Sequence, residues 1–265
     1  MIPPALRAVA RLIFLSLALA NLAPAATTPD VLVIADVTPA GKARPPASPE
    51  HPVYYEPVWA GFQELGAVVA GERPPSREKA QQELTAALTK LGYLAASAKT
   101  PPPTVLIFFA WGTLNPDVMT TPGVGADGSD EQVNFNRTQM LGFLGAHKVK
   151  KLSDYSADKE RVLTAASEDQ YFLAVAAYDR ASVLQRKRTL LWMTRLAADS
   201  RRVWLPETLP ALIASGGRFF GKDSDLPVWL DPADNYKTDV RLGELIVEEY
   251  LTKDSAKTPP DKERR

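Results

Sequence analysis

The chain has 265 residues, 45% of them hydrophobic and 23% charged, with 31 basic and 31 acidic side chains and no cysteine. Balanced charge speaks against a nucleic-acid partner, whose affinity depends on a basic field facing the phosphates. Without cysteine there are no disulfides, so stability has to come from an ordinary apolar core.

The first residues carry an export signal. A short basic region with Arg7 and Arg11 precedes an apolar run from Leu12 to Ala20, and Ala23 and Ala25 then satisfy the A-x-A cleavage rule. Residues 1–25 read as a secretory signal peptide, with Ala20 and Ala26 as alternative cleavage points. The apolar run is shorter than the ~20 residues a membrane span requires. Loss of Arg7 and Arg11 leaves 29 basic against 31 acidic residues. With no cysteine for lipid attachment, the mature protein is expected free in the periplasm or outside the cell, with no transmembrane segment.

Proline clusters punctuate the remainder of the chain. "DVLVIADV", Asp30 to Val37, predicts a first strand, and the Pro-rich stretch Pro39 to Pro52 cannot continue it. "VYYEPVWAGFQELGAVV" predicts an extended segment that Pro57 confines to a sheet edge or breaks. "SREKAQQELTAALTKLGY" predicts a helix: Ala80, Leu84, Ala87, Leu88 and Leu91 form one stripe, Ser76 is the N-cap and Gly92 the stop. "TVLIFFAWG", Thr104 to Gly112, is continuously apolar and predicts a buried central strand. Two helices are expected in "RTQMLGFLGAH" and "ADKERVLTAAS". "DQYFLAVAAYD" and "RTLLWMTRLAAD" predict an antiparallel strand pair. "LPETLPALIASGG" predicts a helix with Pro206 near its start and Gly216 and Gly217 past its end. "VRLGELIVEEYL" fits strand or helix equally. The order of elements predicts an α+β fold, a mostly antiparallel sheet with helices packed on it. Residues 26–251 read as one domain with an insertion around 113–154, and 252–265 as a disordered tail.

Several motifs imitate active sites. "TTPGVGADGSDE" spells G-x-G-x-x-G at Gly123, Gly125 and Gly128. A dinucleotide loop turns from a strand end directly into a helix N-terminus, whereas these glycines follow the strand by about a dozen residues and precede Asp127, Asp130 and Glu131. A flexible connection is the preferred reading, and no cofactor is expected. The same acids lack the spacing of an EF-hand loop. S-x-x-K occurs twice, at Ser76 and Ser156, both in charged settings that suit helix caps better than a serine nucleophile. Asn136 opens a glycosylation sequon, taken as accidental. His51 lies in a Pro-rich linker and His147 before "KVKK", so neither metal ligands nor a catalytic triad assemble from sequence, and no catalytic residue is assigned.

The strand pair supplies the candidate binding residues. In "RTLLWMTRL", Leu190, Trp192, Thr194 and Leu196 share one face and Leu191, Met193 and Arg195 the other, so the strand is central and covered on both sides. Arg195 then needs a buried partner, and Asp179 is the candidate, as a strand-end salt bridge or as a ligand-binding pair. Trp111 and Trp204 read as core residues, with a ligand platform as the sharper reading of either.

"YFLAVAAYD", "LLWMTRLA" and "LPALIASGGRFFG" together resemble a family of uncharacterised exported bacterial proteins, over roughly Val53 to Val228. More distantly, the helix, apolar strand and hairpin are similar to small envelope domains of lipoproteins, including activators of penicillin-binding proteins. The missing lipid-attachment cysteine departs from those. The resemblance implies an envelope location and carries over no functional residue. Two functions are expected: a non-catalytic periplasmic module that binds an envelope protein or small ligand, preferred because no nucleophile, acid–base pair or metal cluster stands out, and as the alternative a hydrolase acting on an envelope polymer through Asp179, Arg195 and an insertion residue.

Overall fold

The computed structural model describes residues 29–66, 74–116, 122–124, 130–132, 136–201 and 203–231. The chain divides into two units, Met1–Asn235 and Tyr236–Arg265, and every described residue belongs to the first. Residues 1–25, read as a signal peptide, the "VRLGELIVEEYL" segment and residues 252–265, read as a tail, lie outside the described residues.

The first unit is α+β. Its seven-stranded sheet has the order β3-β2-β4-β7-β8-β1-β9, formed by β1 (Val31–Val37), β2 (Val53–Gly66), β3 (Tyr93–Ala95), β4 (Val105–Asn115), β7 (Gln170–Asp179), β8 (Leu190–Asp199) and β9 (Val228–Leu230). β2 runs parallel to β3 and β4, and the remaining neighbours pair antiparallel. A short turn of helix, α1 (Pro39–Lys42), follows β1. The parallel pair β2/β3 requires a crossover, which α2 (Arg77–Lys90) supplies with Ser76 accepting from the Lys79 N–H.

Pro57 sits within β2, opposite Ile107. Val53 and Tyr55, four and two residues earlier, direct their backbone groups outward to Gly92 and Ala96. The missing N–H of Pro57 therefore falls on the outer side of β2, beyond the last residue that β3 pairs, where no ladder bond is lost.

Both faces of the sheet are covered. Val31, Val33 and Ala35 of β1 join Ile107, Phe109, Trp111, Leu173 and Leu196 under α2 and α7 (Leu205–Gly216). Leu32 and Ile34 face the opposite way, with Phe172 and Ala197, under α3 (Arg137–Phe143), α4 (Ala146–Val149) and α5 (Ala157–Ala165). Near-continuous apolar strands are the sequence signature of this two-sided burial.

Several expectations are corrected. Of the segment read as an insertion, Thr113 to Asn115 complete β4, and α3 and α4 belong to the second helical layer. Trp192 pairs with Ala177 and Leu190 with Tyr178, so Leu191 is the extra residue of a bulge and turns into the same core as Trp192. Trp204 is not a core residue: it stands at the N-cap of α7 and is 59% exposed. Gly216 is the last residue of α7, and a single 3-10 turn from Gly217 continues it. The glycine-rich stretch passes through β5 (Pro122–Val124) and β6 (Asp130–Gln132), which pair as a hairpin with Gly123 opposite Glu131. Gly123 thus lies in a strand, and Gly125 and Gly128 lie outside the described residues. Asn136 caps α3 in a capping box with Gln139, and Ser156 occupies the N-cap of α5 without a side-chain bond to it.

Candidate functional site

The carboxyl end of β1 gathers a cluster of charges. Burial alone would raise the Asp36 carboxyl, but hydrogen bonds from His147 and Lys148 and the charges of Lys148 and Arg195 hold it below the usual range. Oδ1 lies 2.8 Å from His147 Nε2 and 3.1 Å from Lys148 Nζ. Oδ2 accepts from Arg195 Nη2 at 2.7 Å. Lys148 is 3% exposed at its side chain. Its ammonium donates to the Ala35 carbonyl at 2.7 Å and to Asp223 at 3.0 Å, so these two acceptors and Asp36 surround it.

Two backbone devices bring these groups together. Gly145, at φ +81, makes the corner between α3 and α4, and a Cβ there would meet the Ile34 side chain at 2.7 Å. The corner can therefore seat α4 directly on β1, which carries His147 and Lys148 to Asp36. Ser224 donates its N–H to the Ala35 carbonyl and accepts from the Ala35 N–H through Oγ, which pins Asp223 beside Lys148. Asp223 is held far below the usual carboxylate range: burial works against it, but Lys148, the Asp225 N–H and Lys42 outweigh burial.

Lys42 connects this cluster to a cleft. The segment from Pro39 to Pro52 leaves β1 and crosses the ends of β8, β7 and β4 to reach β2, forming a strap. Under it lies a cleft of about 990 Å³. Its apolar floor includes Val53, Tyr93, Val105, Leu191 and Trp192, and the strap contributes Lys42 and Arg44. Burial pushes the Tyr93 phenol up, so it stays protonated. Thr38 anchors one end of the strap, its hydroxyl donating to the Leu190 carbonyl at 2.7 Å. At the other end the Ser48 backbone lies against Gly92, where a Cβ would come within 2.2 Å of it. Arg44 pairs with Asp179 between those anchors.

Asp179 and Arg195 do not meet. In the β7/β8 register Arg195 faces Ala174, five residues from Asp179, a displacement of roughly 17 Å along a strand. Asp179 caps α6 (Arg180–Leu184) through the Ser182 N–H and takes Arg44 as its partner. Arg195 takes Asp36 and the Gly142 carbonyl instead. Trp111 is 1% exposed within the first core and reaches neither cleft nor surface. Of the three candidates, only Arg195 belongs to the charged cluster, and Asp179 acts on the cleft through Arg44. Sequence reasoning misses Asp36, Lys148 and Asp223, and also Lys42 and Arg44. The signal it offers is Asp36 itself, a charge at the end of a buried strand. Among the described residues, no three His, Asp, Glu or Cys side chains converge as a metal site requires, and no helix is long and apolar enough to cross a membrane.

An α+β unit with a mixed sheet and a strap-covered cleft is the class these observations define. No family model and no curated protein matches the chain. Two solved structures align with it at low similarity. The PelC dodecamer from Paraburkholderia phytofirmans is 10% identical with a TM-score of 0.30, over 69% of this chain and 92% of that one. A PDZ domain protein from Parabacteroides distasonis is 13% identical with a TM-score of 0.36, over 81% of this chain and 41% of that one. At such scores neither bears on the site, whose chemistry rests on this chain's own residues.

Proposed function

We propose that this is an exported, non-catalytic binding module of the cell envelope, and that the cleft beneath the strap is where it takes a small ligand. The observation that carries the reading is the cleft itself. It combines about 990 Å³ of space, a largely apolar lining and two cations, the composition of a ligand pocket with a few orienting polar groups. The signal-like residues 1–25 and the resemblance to exported bacterial proteins support the location. The hydrolase reading has less support, because it needs Asp179 and Arg195 in one site, whereas Arg195 faces Ala174 and pairs with Asp36 while Asp179 pairs with Arg44.

Native mass spectrometry on protein recovered from its own host's periplasm, compared with the denatured sample, tests this reading. A mass excess that disappears on denaturation and matches a small molecule is the expected result, with a denatured mass that begins near residue 26. A denatured mass that includes residues 1–25 counts against export. A bare chain that also fails to take up small molecules in the cleft counts against the binding module.

A further inference from the structure

We propose that the ligand of the cleft is an amphiphilic organic acid: an apolar body carrying a single carboxylate, sulfonate or phosphate. This rests on the cleft being a small-ligand site. The apolar half of the argument is the floor, where Val53, Val105, Leu191 and Trp192 offer only hydrocarbon and ring surface beside the Tyr93 ring. A ligand that reaches it has to bring matching apolar area.

The acidic half comes from the two strap cations and the state of their partners. Lys42 is 3.3 Å from Asp223, whose other oxygen already accepts from Lys148 and the Asp225 N–H. Arg44 gives Nη2 to Asp179, whose other oxygen caps α6 through Ser182. Each carboxylate is thus shared between the strap cation and a structural donor. An ammonium has three donors and a guanidinium five, so most of the N–H groups of Lys42 and Arg44 remain for a ligand at the rim. A cationic ligand would find only Glu50 to receive it, because Asp179 and Asp223 are both occupied. Glu50, also at the rim, limits the ligand to one negative group, since a second would face a like charge.

Two dyes with the same ring framework separate the halves of the argument: 1-anilinonaphthalene-8-sulfonate, which carries an acid, and N-phenyl-1-naphthylamine, which does not. In fluorescence titrations of the folded protein at neutral pH, both are expected to bind, the sulfonate at least about tenfold more tightly, as one charge-assisted contact supplies. Lys42→Gln and Arg44→Gln together bring the sulfonate down to the affinity that the neutral dye has for the same variant. Lys42→Gln alone, which keeps the Arg44–Asp179 pair, reduces the ratio in part and guards against a folding artefact. Thr104→Trp, at the mouth of the cleft, weakens both dyes. Equal wild-type affinities, or a ratio unmoved by the strap variants, overturn the acidic ligand while leaving the small-ligand cleft standing. If Thr104→Trp changes neither dye, or neither binds, the cleft reading itself falls and this proposal with it.

Discussion

Lys148 and Asp223 meet at 3.0 Å although 75 residues separate them. The contact joins α4, on the second face of the sheet, to the segment after α7, and Asp223 passes it on to Lys42 in the strap. One buried ammonium thus ties together the helical layer, the end of β1 and the wall of the cleft.

Removing that ammonium leaves Asp36 and Asp223 without their shared buried cation. Lys148→Met is expected to cost about 3 kcal/mol, the order found when one partner of a buried ion pair is deleted. Urea unfolding measures it. Adding Asp223→Asn to Lys148→Met should restore part of the loss, because it removes one stranded charge; additive losses would mean the two residues act independently.

Acid should weaken the same cluster. Asp36 and Asp223 both have folded-state values below the ordinary range. Carboxylates of that kind add stability above their unfolded value, near pH 4, and lose it as pH falls through the lower folded values. Unfolding free energy should therefore drop below about pH 4. Asp223→Asn should be less stable than wild type at neutral pH and should show a shallower decline in acid. Parallel pH profiles for the two proteins would contradict this account.

Gly92 sets the position of the strap. At φ +86, with the Ser48 backbone 2.2 Å from where a Cβ would stand, Gly92→Ala meets both backbone strain and a clash that no side-chain rotation relieves. A loss of about 2 kcal/mol or more is expected. Limited proteolysis should cut the strap between Arg44 and His51 faster than in wild type, whereas an unchanged cleavage pattern would show that the strap is held without this contact.

The tryptophans should behave oppositely. Trp204→Ser removes a side chain that is 59% exposed and puts a capping hydroxyl at the N-cap of α7, so it should leave stability unchanged or raise it by up to about 1 kcal/mol. Trp111→Ala empties a fully buried site and should cost about 3–5 kcal/mol. Acrylamide quenching checks the premise: the fraction of fluorescence that is readily quenched should fall in Trp204→Ser.

The partner of Arg195 shows where sequence reasoning stops short. Its burial on a central strand is legible from the apolar alternation in "LLWMTRL", and so is its need for an acid. Asp179 is the nearest acid to suggest itself because it ends the preceding strand. Strand register alone argues against it, since residues near a hairpin connection pair with each other and Arg195 lies well beyond them. The acid that does pair comes from β1, on the other side of β8. His147 and Lys148 escape notice because "HKVKK" reads as a solvated run, and only the turn at Gly145 directs one of its lysines inward.

By itself the sequence determined the elements whose signals are local. These are the two-sided apolar strands β1, β4, β7 and β8, the stripe and caps of α2, and the restriction that Pro57 places on β2. Periodicity, caps and prolines act over a few residues, so one segment suffices to read them. The tertiary structure alone decided that Asp36, Lys148, Arg195 and Asp223 form one cluster and that the proline-rich strap roofs a cleft. Those outcomes depend on strand order and on close approaches at Gly92 and Gly145, and the Coulomb and packing terms that favour them arise only between residues far apart in the chain.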